Sequence, residues 1–293
     1  MAKRLRYYPQ SNISTRLPPN FIIDKMIKAA TFEYLRKMSG VAVGHLDLDN
    51  TRHHEWIQHY HPRWRGSVGD LRDKKLLEFY ASFTLLNPKI DDAFMDAAGG
   101  RKTYIDRLNC KTRYLQDSSI TPDIRDALGN AVDYIEGDAT SVQLADGTLD
   151  KISVHHSFEH FQGNGDTLFI MEVQRLLRPM GRCCIVPIFI ADHYVEITNE
   201  FTFSRQFDPG SRVLIDPSAS LPGGKRSGYY ARVYDLEAFK RRILSHIDST
   251  AFRVSISELR LNGSSVPDLR LSCHKTVSAI NRPLRAMLIE RVL

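Results

Sequence analysis

Cysteine is scarce: the 293 residues hold four, Cys110, Cys183, Cys184 and Cys273. No two form a CxxC pair. Cys183 and Cys184 are neighbours in an apolar run, so they face opposite sides of a strand and neither is a natural zinc ligand. Buried thiols in a reducing, cytoplasmic compartment are the reading that remains. No apolar run approaches the roughly 20 residues that span a bilayer, and no signal-peptide core is present. The GxGxxG loop of dinucleotide sites is missing. So are internal repeats and low-complexity tracts. Acids are absent before Asp24, while Lys3, Arg4, Arg6 and Arg16 stand in that stretch. A transit peptide and a solvated basic tail both fit; Pro9, Pro18 and Pro19 leave little room for an amphipathic helix and favour the tail.

What is present is an ordinary globular composition, 42% hydrophobic and 25% charged. The net charge of +6 is spread along the chain. It permits an acidic partner without demanding one, and we expect neither a nucleic-acid partner nor a membrane span. Oligomeric state is not encoded in any pattern we find. The histidines from His45 to His61 (His45, His53, His54, His59, His61) lack HExxH and CxxC spacing, so we read them as surface or substrate-lining groups and expect no metal.

Residues 96 to 161 organise the chain. They run DAAGG, TRYLQDSS, VDYIEGDAT and LDKISVHHSFEHF, each a short apolar run ending in small, acidic or turn residues. Buried parallel strands look this way when their carboxyl ends open into a ligand crevice. Asp96, Asp117 and Asp138 are evenly spaced, as a repeating strand-crossover unit requires. The run RCCIVPIFI reads as a central fifth strand, preceded by a helix from Thr167 to Arg178 that Pro179 ends. Before this core, apolar spacing predicts helices over 20–38 and 70–86. After it, 191–233 reads as a long irregular loop, 235–247 as a helix, and 252–261 with 269–280 as an antiparallel pair. We therefore divide the chain into a basic tail with a helical lid (1–88) and an α/β domain (89–293), with 191–233 as a substrate or lid loop.

The stretch YIEGDATSVQLADGTLDKISVHHSFEHF, followed by a helix and RLLRPMGRCCIVP, resembles the class I S-adenosylmethionine-dependent methyltransferases, closest to the type 11 branch. The resemblance covers about residues 91 to 190. It implies a Rossmann-like, doubly wound seven-stranded sheet with the last strand antiparallel, here with an N-terminal helical extension, and S-adenosyl-L-methionine as cofactor. In the family, the turn after strand one approaches the methionine part of the cofactor; here it comprises Asp96, Ala98, Gly99 and Gly100. Of the family's three alternating glycines only the middle one, Gly100, is kept. Ala98 stands for the first and Lys102 for the third.

The resemblance gives Asp117, with Ser118, the ribose hydroxyls, and Asp138 with Ala139 the adenine; both aspartates also read as turn or loop-start residues. It places the turn from His155 to Phe161 beside the reacting sulfonium. His160 is the candidate base there and Glu159 its orienting partner. His156 is a further catalytic and cofactor candidate, although one of His155 and His156 should simply pack under a helix. His193, Tyr194, Arg226, Tyr229 and Tyr230 are candidates for the acceptor side. The function this implies is methyl transfer to a small-molecule acceptor, an oxygen of a sugar or secondary metabolite. Two alternatives stand beside it: a non-catalytic methyltransferase-like binding module and an RNA methyltransferase.

Overall fold

The computed structural model describes residues 14–16, 27–61, 71–100, 103–199, 207–216, 229–268 and 282–293. The early strands are β1 (Ser14–Arg16), β2 (Val41–Leu48), β3 (Ala93–Ala97), β4 (Thr112–Asp117) and β5 (Asp133–Glu136). Next come β6 (Leu149–His155), β7 (Leu177–Val186), β8 (Val195–Thr198), β9 (Arg212–Ile215) and β10 (Tyr230–Val233). The last are β11 (Phe252–Leu261), β12 (Ser264–Ser265), β13 (Pro267–Asp268), β14 (Arg282–Pro283) and β15 (Arg285–Arg291). Helices are α1 (Phe32–Leu35), α2 (Asn50–Tyr60), α3 (Leu71–Leu86), α4 (Pro122–Leu128), α5 (Gly165–Leu176) and α6 (Leu236–Arg242).

Among the described residues the main sheet has nine strands: seven run in the order β5-β4-β3-β6-β7-β15-β11, and β12 and β2 are both paired to β11. From β5 to β7 every pairing is parallel, and β15 runs antiparallel to both its neighbours. This is the doubly wound sheet that the sequence resemblance implies. The inner strands are covered on both faces, which is why they read as unbroken apolar runs. Alternate residues go to opposite layers: Phe94 and Cys184 join Leu76, Leu77 and Phe79 of α3, while Met95 and Cys183 join Phe169, Ile170 and Val173 of α5. The two neighbouring cysteines thus face opposite sides, as expected. On α5, Phe169, Ile170, Val173 and Leu176 are all buried at helical spacing. Truncating Phe169 to Ala would cost about 3–5 kcal/mol.

The chain leaves β3 towards β4 and β5, then returns to β6 on the other side of β3. At that switch of direction the loops at the strands' carboxyl ends diverge and leave a crevice.

Three sequence expectations change. A helix over 20–38 is not formed as such: 20–26 lie outside the described residues, and the described helix is only Phe32–Leu35, capped by the Thr31 hydroxyl. Residues 29 and 30 are instead drawn to the main sheet's margin, Ala29 bridging Ala191 and Ala30 N–H donating to the Ile190 carbonyl. The N-terminal segment also adds a strand, β2, paired in parallel along β11. The 191–233 stretch is not merely a loop: β8, β9 and β10 join β1 in a second sheet of order β1-β9-β8-β10. Finally, β11 pairs with Arg285–Arg291 rather than with 269–280, which lie outside the described residues. Short strands with non-local partners carry too little periodicity to be read locally. Among the described residues no helix is long and apolar enough to cross a membrane.

Candidate active site

The turn after β3 is built from the inside outward. Asp96 is 1% exposed and does not line the crevice. Its Oδ2 accepts from the Thr103 hydroxyl at 2.6 Å, and its Oδ1 from the Ser153 hydroxyl at 2.7 Å and from His155 Nδ1 at 3.3 Å. Burial works against its charge, but these donors hold its carboxyl below the usual range. Burial likewise keeps His155 neutral, so its Nδ1–H is the donor. Ala98 follows in the left-handed region at φ 50°, with its N–H donating to Gln116 Oε1 and its carbonyl accepting from the Ser157 hydroxyl. At Gly99 a Cβ would lie 2.5 Å from Asp96 Oδ2 and 2.8 Å from Leu115 Cδ1, so only glycine fits. Gly100 has φ 60° and donates its N–H to Asp117 Oδ2 at 3.0 Å. Lys102 lies outside the described residues.

The next two turns complete a cleft of about 780 Å³, lined by Ala98, Gln116, Ser118, Asp138, Ala139, His160 and Leu168 among others. Asp117 is half-buried; besides Gly100 it accepts from Ser119 N–H at 3.2 Å and from the Ser118 hydroxyl. Asp138 is exposed and its Oδ1 accepts from Thr140 N–H. Ala139 supplies a buried apolar wall, and Leu168, 47% exposed, faces it from α5's side of the cleft. Gln116 belongs to no motif in the sequence. Its buried amide braces two loops at once, accepting from Ala98 N–H and donating to the Gly137 carbonyl at 2.7 Å. Only its place beside Asp117, on the inward phase of β4, hinted at this.

The turn after β6 holds the titratable groups. His160 lines the cleft. Its Nδ1 lies 2.5 Å from the Tyr230 carbonyl, which can only accept, so Nδ1 carries a proton and donates it. Nε2 is 3.7 Å from Glu159 Oε1. Glu159 is buried, yet His160 and His156 outweigh that burial and hold its carboxyl below the ordinary range. His156, at φ 52°, does not line the cleft. Its Nδ1 meets Glu159 Oε1 at 3.2 Å and its Nε2 meets Glu78 Oε1 of α3 at 2.8 Å. Burial alone would keep this ring neutral. The Glu78 charge and the hydrogen bonds from both carboxylates overcome it and push the pKa up to about 9. With both nitrogens engaged, His156 has no lone pair to offer as a base.

The cleft's outer lip, residues 161–165, is fixed by a buried ion network. Arg232, 1% exposed, spans Asp166 at 2.7 Å and Glu196 at 2.9 Å. Arg242 pairs with Asp166 and Asp208. Both arginines also donate to the Gly163 carbonyl. Of the acceptor-side candidates, Tyr194, Tyr229 and Tyr230 are buried in this region, His193 is half-buried, and Arg226 lies outside the described residues.

Residues 109–185, from just before β4 to the end of β7, match the family described as a methyltransferase domain. The methyltransferase signature thus lies on the strands and turns that form the cleft. Among solved structures, a Burkholderia thailandensis 1,6-didemethyltoxoflavin-N1-methyltransferase with bound 1,6-didemethyltoxoflavin and S-adenosylhomocysteine is similar at 11% identity. The likeness covers 83% of this chain and 88% of that one, with a TM-score of 0.43. A Methanosarcina mazei S-adenosylmethionine-dependent methyltransferase is similar at 13% identity, covering 70% and 94% with a TM-score of 0.41. An Aquifex aeolicus one shows 13% identity, covering 84% and 100% with a TM-score of 0.37. No curated protein matches the sequence.

The cleft fits a nucleoside cofactor on its own chemistry. A carboxylate (Asp138) and a hydroxyl (Ser118) stand at the ends of adjacent strands, and Ala139 and Leu168 add apolar surface to the same cleft. Such a site offers polar groups to a sugar and base edge and a flat apolar surface to a ring.

Proposed function

We propose that this methyltransferase acts on a hydroxyl of a small-molecule acceptor, with His160 as general base. The observation that carries this reading is the His160 ring. Its Nδ1–H is committed to the Tyr230 carbonyl, so in the neutral ring Nε2 is the nitrogen that can accept a proton. An oxygen nucleophile must lose a proton as it attacks, whereas a thioether or tertiary amine need not. In this reading Ala98, Gly99 and Gly100 offer backbone to the methionine part of S-adenosylmethionine, Asp117 and Ser118 serve the ribose, and Asp138 and Ala139 serve the adenine. Asp96 braces the turn from within. Bound there, the cofactor supplies an electrophilic methyl whose departure leaves a neutral thioether.

The chain's part is to hold the acceptor in line with that methyl and to move one proton. His160 Nε2 would take the hydroxyl proton as the acceptor oxygen attacks. The imidazolium so formed pairs with Glu159 and passes its proton to solvent. We place the reaction in the cytoplasm, consistent with buried Cys183 and Cys184 thiols.

The test is S-adenosylhomocysteine release when the protein is supplied with S-adenosylmethionine and pools of hydroxylated small molecules. We expect turnover with at least one pool, lowered about 10²–10⁴-fold in His160→Ala. Turnover with RNA or protein alone, or undiminished turnover in His160→Ala, would contradict the reading.

A further inference from the structure

The chain holds two buried carboxylates that the proposed reaction does not by itself require to be neighbours: Glu78, from α3 in the N-terminal segment, and Glu159, from the turn after β6. Two such groups in a low-dielectric interior repel one another unless a cation lies between them. The group between them is the His156 ring, with Nε2 on Glu78 Oε1 at 2.8 Å and Nδ1 on Glu159 Oε1 at 3.2 Å. Each ring nitrogen faces an oxygen that accepts when ionised, so the geometry suits a ring with both nitrogens protonated.

Resting on the reading of His160 as the base, we propose that Glu78 and His156 are positioning residues: a permanently protonated His156 bridges Glu78 to Glu159 and keeps Glu159 ionised and aimed at His160. Lys75 and His155 also stand near this bridge. Lys75, also on α3, has Nζ 3.8 Å from Glu78 Oε2, on the far side from His160. His155 is turned to Asp96 and is neutral. Along the row Lys75, Glu78, His156, Glu159 the charges therefore alternate, and the row ends on a carboxylate 3.7 Å from His160 Nε2. A proton taken up at His160 extends the alternation by one member. Charge that develops there in the transition state meets a dipole already in place, with no reorganisation needed. The raised pKa of His156, about 9, accords with the bridge but is not its foundation.

This assigns to α3, an element outside the family match, a part in setting the base. It also divides labour among three consecutive-looking histidines. His155 donates to the turn after β3, His156 is a fixed cation, and His160 alone is left to exchange protons at the cleft.

The test needs no acceptor and no cofactor. The full chain labelled with ¹⁵N-histidine is titrated by NMR, reading ring nitrogen shifts. In the unaltered protein we expect His156 to show two protonated nitrogens from pH 6 to 8 and to lose a proton only near pH 9. In Glu78→Gln its midpoint should fall by about one unit or more. In His156→Gln, Glu159 loses the cation that keeps it ionised and aimed, so the His160 midpoint should fall by about one unit. A merely structural His156 would leave His160 unmoved. A neutral His156 ring at pH 7 in the unaltered protein overturns the proposal without recourse to any variant. So does an unchanged His160 midpoint in folded His156→Gln. Failure of cofactor binding, by contrast, would remove the enzyme reading and leave the bridge standing.

Discussion

Gly99 and Gly100 are adjacent, and both look replaceable by alanine in a turn where Ala98 already stands. The structure predicts very different costs. At Gly100 a Cβ would meet nothing closer than Asp117 Oδ2 at 3.9 Å, and the penalty is backbone strain at φ 60°, about 1–2 kcal/mol. At Gly99 the new methyl would sit 2.5 Å from Asp96 Oδ2, 2.8 Å from Asp96 Cγ and 2.8 Å from Leu115 Cδ1. Leu115 is fully buried, and Asp96 is pinned by Thr103, Ser153 and His155. Overpacking alone costs about 1–3 kcal/mol. Moving Asp96 also loosens a buried charge from its donors, and breaking such a set costs about 3–5 kcal/mol. Partial relaxation leaves an expected loss of about 3 kcal/mol or more for Gly99→Ala. Urea unfolding of the two variants, compared at equal slope, measures the difference. A Gly99→Ala protein within 1 kcal/mol of the parent would refute the packing described for this turn.

Other consequences can be checked in the same way. Arg232→Met leaves Asp166 and Glu196 buried without their shared cation and should cost about 3–5 kcal/mol, read as a large drop in urea midpoint. A loss under 1 kcal/mol would show that the network relaxes around the gap. Stability should also fall on both sides of neutrality. His156 binds its proton more tightly folded than unfolded, so its contribution is full below about pH 6.5 and is lost as pH rises through about 9, on the order of 3 kcal/mol. His53 and His61 are the opposite case. Burial lowers both to about 4, so between pH 6.5 and 4 the unfolded chain takes up protons that the fold refuses, and stability declines as pH falls. Thermal melts from pH 5 to 9.5 should trace a dome; a flat profile on the alkaline side would remove the charged His156.

The sheet was legible because its strands are buried on both faces. AFMDA and RCCIV need no partner in view to announce themselves, and DG, NG and Pro punctuation closes the elements between them. The second sheet was not, because Val195–Thr198, Arg212–Ile215 and Tyr230–Val233 are four residues each and take their partners across long gaps. Local periodicity over four residues cannot be told from a loop. The site divides similarly. Asp117, Asp138 and His160 sit at strand ends where the pattern placed them. Asp96 carries the same signal and yet faces inward, because its donors Thr103, Ser153 and His155 come from three different segments. Glu78 reads as one polar residue of an amphipathic helix, and only the fold brings it to His156. Gln116 is hidden for the same reason: its two partners, Ala98 and Gly137, lie in different turns.

If the protein is a methyltransferase, the cleft between the turns after β3, β4 and β5 holds S-adenosylmethionine. Calorimetric titration of the full chain with S-adenosylhomocysteine measures this directly. The structure predicts saturable binding at one site, weakened by about 1–3 kcal/mol in Asp117→Ala, the scale of a lost hydrogen bond to a charged group. No heat of binding at millimolar ligand would contradict the enzyme reading, and an unchanged affinity in Asp117→Ala would take that carboxylate out of the ribose site.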